Sequence, residues 1–195
     1  MLIEAALALI AGFLAKTCDE QSERGLPYPA ILFYAAALAY GAILGWLSVS
    51  TALSSLFLAL ALAAILSRKI DHPIHVLGIA AFGAVLIWQP MAQFDAWAFS
   101  LFLLAGLLDE LELKLGRIFT LIGEQRLWTP LAALALMLYG GQYLFLVAII
   151  AFDAAYRFSA WLVEKRIGKS GSGPARLAPL ARTKAAGAGP KRRGR

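Results

Sequence analysis

Acidic residues stand at the ends of apolar runs along this 195-residue chain, and in one case well inside a run. Asp19 and Glu20 follow the first run, and Asp71, with His72 and His75, separates the third from the fourth. Asp109, Glu110 and Glu112 end the fifth, while Asp153, Tyr156 and Arg157 lie within the last. Each ionisable group inside an apolar helix costs about 2.5–3.5 kcal/mol even on a lenient insertion scale. Two chemistries use such a set. Converging carboxylates and imidazoles form the donor set of a hard divalent cation such as Mg²⁺ or Mn²⁺. On that reading Asp19, Glu20, Asp71, His75 and Asp109 are the candidate ligands. Acids deep in a helical bundle can instead bind a passing cation or relay protons, which nominates Asp109, Glu110, Asp153, Tyr156 and Arg157 as path residues.

Local pairing accounts for several of these residues without any ligand. Asp153 and Arg157 are four apart on one helix face, as are Glu110 and Lys114, and Lys16 is placed to pair with Asp19 or Glu20. His72 and His75 fall in a polar connection beside Pro73, where capping or solvation suffices, and Asp71 is placed to cap the helix that Pro73 begins. Asp109 has no basic residue three or four positions away on either side. Its carboxyl is therefore protonated, paired with another helix, or bound to a cation. The lone cysteine, Cys18, excludes an internal disulfide and reads as a small packed residue near a helix end. HExxH, Walker A and GxSxG signatures are absent, as are the repeated-aspartate patterns of membrane prenyltransferases and CDP-alcohol phosphotransferases.

The elements that must position these residues are helices. Hydrophobic residues make up 61% of the chain and charged residues 15%, with a mean hydropathy of +0.72. A soluble domain needs more polar surface than this. The apolar runs are about 15–25 residues long, enough to cross about 30 Å of hydrocarbon as helices, and they lack the alternation of barrel strands. The expected fold is an all-α integral membrane protein with about seven transmembrane helices. These cover roughly residues 2–17, 30–47, 52–67, 73–88 and 96–113, and a region 130–156 divided at Gly140-Gly141-Gln142. Met1 to Glu4 carry no positive charge and no small-residue cleavage site follows, so the first run is expected to persist as a helix.

Charge parity favours the division. With seven helices, Lys16, Arg24, Arg68, Lys69, Lys114, Arg117, Arg126 and the tail share one side. The N-terminus, residues 48–51, residues 89–95 and the Gly-Gly turn, which lack Lys and Arg, share the other. The positive-inside rule then gives a multi-pass protein of the cell membrane with its N-terminus outside and its C-terminus cytoplasmic. Residues 1–168 form the bundle, and residues 169–195, rich in Gly, Ala, Pro, Lys and Arg, form a disordered basic tail. The net charge of +6 comes largely from that tail. Its expected partners are anionic lipid headgroups, at about 1 kcal/mol per basic residue near the surface. It lacks the aromatic interleaving that stacking on nucleic acid requires.

Gly12-Phe13-Leu14-Ala15-Lys16-Thr17-Cys18-Asp19-Glu20 resembles Gly106-Leu107-Leu108-Asp109-Glu110 with a gap. Leu56-Phe57-Leu58-Ala59-Leu60-Ala61, leading to Asp71, resembles Leu144-Phe145-Leu146-Val147-Ala148-Ile149, leading to Asp153. The pattern suggests parallel repeats over 1–71 and 96–160 with a linker helix over 74–88. This three-plus-one-plus-three order resembles that of the SWEET-type sugar carriers and of vitamin carriers of similar build. The likeness is architectural: the Pro-Gln pair typical of the sugar carriers is missing, and no site residue carries across. The working expectation is a small carrier for a cation or small solute, with Tyr34, Tyr40, Trp46 and Gln142 along the path and Gly41, Gly45, Gly78, Gly83, Gly140 and Gly141 in its helices. One alternative is an enzyme acting on a lipid-linked phosphate, with the acids on a metal and Arg68, Lys69 and Arg157 receiving phosphate oxygens. Another is a non-catalytic scaffold whose polar residues join helices.

Overall fold

Hydroxyl and charged side chains that look like loop residues in the sequence are absorbed into helices by bonds along the helix itself. In the computed structural model, which describes residues 1–68, 70, 72–91, 93–110 and 126–169 with side chains as far as 166, the first helix, α1, runs Leu2–Arg24. It continues past the expected end near Thr17 because Glu20 accepts ion pairs from Lys16 one turn before it and Arg24 one turn after it, each at 2.9 Å. Gly25, at φ 63, then stops the helix and donates its N–H to Gln21. The second helix, α2 (Ala30–Ser50), runs past its expected end near Leu47, and in its last turn the hydroxyls of Ser48 and Ser50 find acceptors in the carbonyls of Leu44 and Trp46 rather than in a loop.

Five more helices follow: α3 (Ser54–Leu66), α4 (Pro73–Trp88), α5 (Ala96–Glu110), α6 (Trp128–Gly140) and α7 (Tyr143–Lys169). The described residues contain seven helices and no strand. Pro73 opens α4 as expected, but the cap is His72, whose Nδ1 accepts from the Ile74 N–H at 3.3 Å. Asp71, the expected cap, lies outside the described residues. Asp95 caps α5 by accepting from the N–H groups of Trp97 and Ala98 at 2.9 and 3.1 Å. Gly141 adopts φ 66 and ends α6, so the Gly-Gly pair is a turn between two helices that pack on each other, rather than a kink in one. Lys69, Glu112, Lys114, Arg117 and the expected tail from Ser170 on also lie outside the described residues, while Lys169, expected to open the tail, is the last residue of α7.

The helices pack as a closed ring in the order α1, α2, α3, α5, α6, α7 and back to α1. Helix α4 stands apart from this ring, packed along α2 and touching α1. The α1–α7 and α2–α4 contacts are backbone-close. A methyl group on Gly12 would overlap the carbonyl of Phe152, and one on Gly41 would overlap the carbonyl of Gly78. The main core, built around Leu47, Leu56, Phe57, Phe102 and Phe145, fills the ring, with Phe102 and Phe145 edge to face at 5.1 Å. A second cluster joins Cys18, Phe33, Ala37, Tyr40 and Ile74 where α1, α2 and α4 meet, and places Cys18 inside α1 rather than at its end.

Helix length departs from the expected seven full spans. Two helices, Ala30–Ser50 and the Tyr143–Arg166 part of α7, are long and apolar enough to cross a membrane. Helices α3 and α6 are apolar but have 13 residues each, and α4 has 16. At about 1.5 Å per residue they rise roughly 20–24 Å.

Substituting Gly41 with Ala should lower the thermal stability of the purified chain, because the added methyl forces α2 from α4 at a cost of about 1–3 kcal/mol. Gly83, which has open space around it, should accept Ala with no loss. Circular-dichroism melts of the two variants in one detergent check this, and equal melting temperatures would contradict the packing described.

Candidate functional site

Five carboxylates face one cavity of about 580 Å³ at the end of the bundle where α1 and α3 run out and α2, α4 and α6 begin. They are Asp19, Glu23, Asp109, Glu110 and Asp153. All seven helices contribute to its wall. Among the described residues, Arg126 is the one Lys or Arg that lines it, and His72 and His75 stand at its rim.

Asp19 is held at the mouth by residues from other helices. Its carboxylate accepts a hydrogen bond from the Tyr156 hydroxyl of α7, and lies 3.5 Å from His75 Nε2 of α4. The same imidazole nitrogen is 3.4 Å from the Ser22 hydroxyl. Tyr156 is flanked by cations: Lys16 Nζ lies 5.2 Å from its ring centroid and the Arg126 guanidinium 5.9 Å. Asp19, Tyr156, His75 and Arg126 thus tie α1, α7, α4 and the approach to α6 into one polar network.

Asp109 has a different task. One carboxylate oxygen accepts from the Trp128 N–H at 2.9 Å, and the other accepts from the Thr129 N–H at 2.9 Å and the Thr129 hydroxyl at 2.7 Å. It therefore caps α6 from α5, meeting donors that no residue within α6 satisfies. Of the three states open to this carboxyl in the sequence, the structure supplies the partner on another helix that the second requires. Beside it, Glu110 lies 3.7 Å from Arg126, whose backbone takes the left-handed conformation at φ 52. Burial alone would lower the Arg126 pKa, but the negative charge of Glu110 leads the groups that instead raise it.

The candidate residues are therefore only partly assembled. Asp19, His75, Asp109, Glu110, Asp153 and Tyr156 share the cavity. Glu20 does not line it, being buried against Lys16 and Arg24. Arg157 is exposed and outside the lining, though close enough to act on Asp153 electrostatically. Of the proposed metal ligands, Asp71 lies outside the described residues, and among the described residues no three His, Cys, Asp or Glu side chains form a metal-holding group. Tyr40 lines the cavity as expected, whereas Tyr34 and Trp46 are exposed on the outside of α2. Gln142 lines a separate pocket of about 350 Å³, with Ala52, Gln93 and Asp95. Ser22, Glu23 and Thr129 went unnoticed in the sequence. Thr129 carried one usable signal, a hydroxyl residue directly before Pro130 at a helix start.

Asp109→Ala should destabilise the protein by about 1–2 kcal/mol through loss of the α6 cap, and Asp109→Asn by less, since one acceptor oxygen remains. In a double-mutant cycle with Thr129→Ala the losses should be less than additive. Strict additivity in thermal or denaturant unfolding would show that the cap does not form. Comparison of the chain with family models, with curated proteins and with solved structures returns no match.

Proposed function

We propose that this chain is a multi-pass membrane carrier for a cation, with the acidic cavity as its binding site in an inward-open state. The observation that carries this reading is the cavity itself. It is amphipathic, holds Asp19, Glu23, Asp109, Glu110 and Asp153 against Arg126, and takes its wall from both α1–α3 and α5–α7. A site between two helix sets opens and closes as one set rocks against the other. Exchanging α1, α2 and α3 for α5, α6 and α7 leaves the ring contacts unchanged, which supports a parallel duplication with α4 as the added helix.

A second feature supports carriage. The pocket at the other end is lined by Phe145 and the cavity by Phe57 and Ile149, and all three belong to one core cluster. An apolar plug with a pocket at each end is what alternating access needs. The outer surface supports the membrane. Ile31, Ile87 and Leu138 are 71%, 90% and 75% exposed, and Trp88, Trp97, Tyr139 and Tyr143 form an exposed aromatic collar at the end away from the cavity. Tyr28 and Trp161 are exposed toward the cavity end. The short α3 and α6 are accommodated by local bilayer thinning. Arg24, Arg68, Arg126 and Arg166 mark the cavity end as cytoplasmic.

Single-cysteine variants Ala64→Cys, in the cavity, and Gln142→Cys, in the opposite pocket, in a Cys18→Ser background test the reading in proteoliposomes. An impermeant maleimide should label them from opposite sides. A gradient of a small organic cation such as tetramethylammonium should evoke a current that Asp153→Asn reduces at least tenfold. Labelling of both from one side contradicts the topology. Access to Ala64→Cys from the tail side with no current for any cation overturns carriage in favour of an interfacial enzyme, for which the histidines and Arg126 at the mouth are the supporting feature.

A further inference from the structure

The cavity has a side as well as a mouth. Helix α4 packs along α2 and touches α1, but it is not packed along α3 or α5, although only residues 67–72 separate it from α3. The interlocked Gly41 and Gly78 draw it onto α2 and so away from α3. Across the cavity from its His75, Ile79 and Phe82 stand Leu60 and Ala64 of α3 and Gly106 of α5. Among the described residues, no helix lies between these two walls in the ring order.

The walls change character with depth. On α4 the lining runs from His75 to Phe82, and on α7 from Tyr156 to Ile149, each a descent of about 10 Å at 1.5 Å per residue. Acids and imidazoles thus sit at the mouth, and Leu44, Phe57, Phe82 and Ile149 form the floor. The volume lies within the range of small-molecule sites, about 300–1,000 Å³, which are mostly apolar with a few placed polar groups. A small hydrated cation has no use for this floor, and an anionic headgroup would meet the surplus of carboxylates.

We infer that the ligand is an amphiphilic cation, an ammonium head on an apolar chain, that enters sideways from the bilayer between α4 and the α3–α5 pair. The head is received by Asp19 and Asp153, and the chain lies over the apolar floor and out through the gap. The inference rests on the cation-carrier reading and names its substrate class.

Photolabelling in proteoliposomes tests it, using hexadecylamine and hexadecanoic acid that carry the same mid-chain diazirine at equal bilayer mole fraction. The amine should label peptides containing Leu60, Ala64, Ile79 and Phe82 at least tenfold more than the acid. Asp153→Asn should cut that labelling severalfold. Leu60→Trp, which narrows the gap, should cut it about tenfold, while Ile65→Trp, on the exposed side of α3, should leave it unchanged. Equal labelling by amine and acid, or adducts confined to exposed residues such as Val76, overturns the inference. If tetramethylammonium drives current while the long-chain amine leaves the cavity unlabelled, the ligand is water-soluble and this inference falls, while the cation-carrier reading stands. If neither occurs, the carrier reading falls with it.

Discussion

A carboxylate inside an apolar bundle must be met by donors or opposite charge, because it cannot stay ionised and unpartnered where water is scarce. Much of the architecture at one end of this protein follows from that demand. Glu20 satisfies it within its own helix, through Lys16 and Arg24, and so extends α1 by more than a turn. Asp19 and Asp109 cannot, and each reaches another helix. Asp19 takes the hydroxyl of Tyr156 in α7, and Asp109 takes the first N–H groups of α6. These bonds fix where α7 and α6 sit against α1 and α5. The carboxylates thereby act as struts across a bundle whose apolar surfaces alone would allow many registers.

The struts also keep that end from closing. Side chains that need hydrogen bonds cannot interdigitate as Leu and Phe do in the core, where Phe102 and Phe145 meet edge to face. The result is an apolar core in the middle of the bundle, a polar-mouthed cavity of about 580 Å³ at one end and a smaller pocket of about 350 Å³ at the other. Glycine adds the second asymmetry. Backbone-close packing at Gly41 and Gly78 commits α4 to α2, and the ring closes without it. The cavity and the displacement of α4 from the ring thus follow from two local rules, the satisfaction of buried charge and the close approach of small residues. In the proposed function the same two rules create the binding site and its entrance.

Ligand selection then becomes a matter of charge balance. Arg126 faces Glu110 and Tyr156, so the remaining acids set the sign of the mouth. Both oxygens of Asp109 are taken by its cap, whereas Asp19 gives one oxygen to Tyr156 and holds the other 3.5 Å from His75, so in the proposed function Asp19 and Asp153 are the carboxylates that meet a guest.

Sequence alone determined the helices and most of their ends. Periodic apolar runs, Pro73 at a first turn and a Gly-Gly pair at a turn act through bonds spanning a few residues, and such signals survive in a linear reading. The ends of α1, α2 and α7 differ from the sequence reading because polar side chains resemble loop: Lys16–Glu20 bonds lie within α1, Ser50 lies within α2, and α7 runs past the expected 156 to Lys169. Partners for Asp19 and Asp109 were not legible, since Tyr156 and Thr129 lie on distant stretches of chain and nothing in local spacing joins them. Glu20 and Asp19 are adjacent in sequence, yet one is sealed between two cations and the other lines the cavity. Successive residues on a helix point about 100° apart, so only the packing of the neighbouring helices decides which of the two faces the cavity.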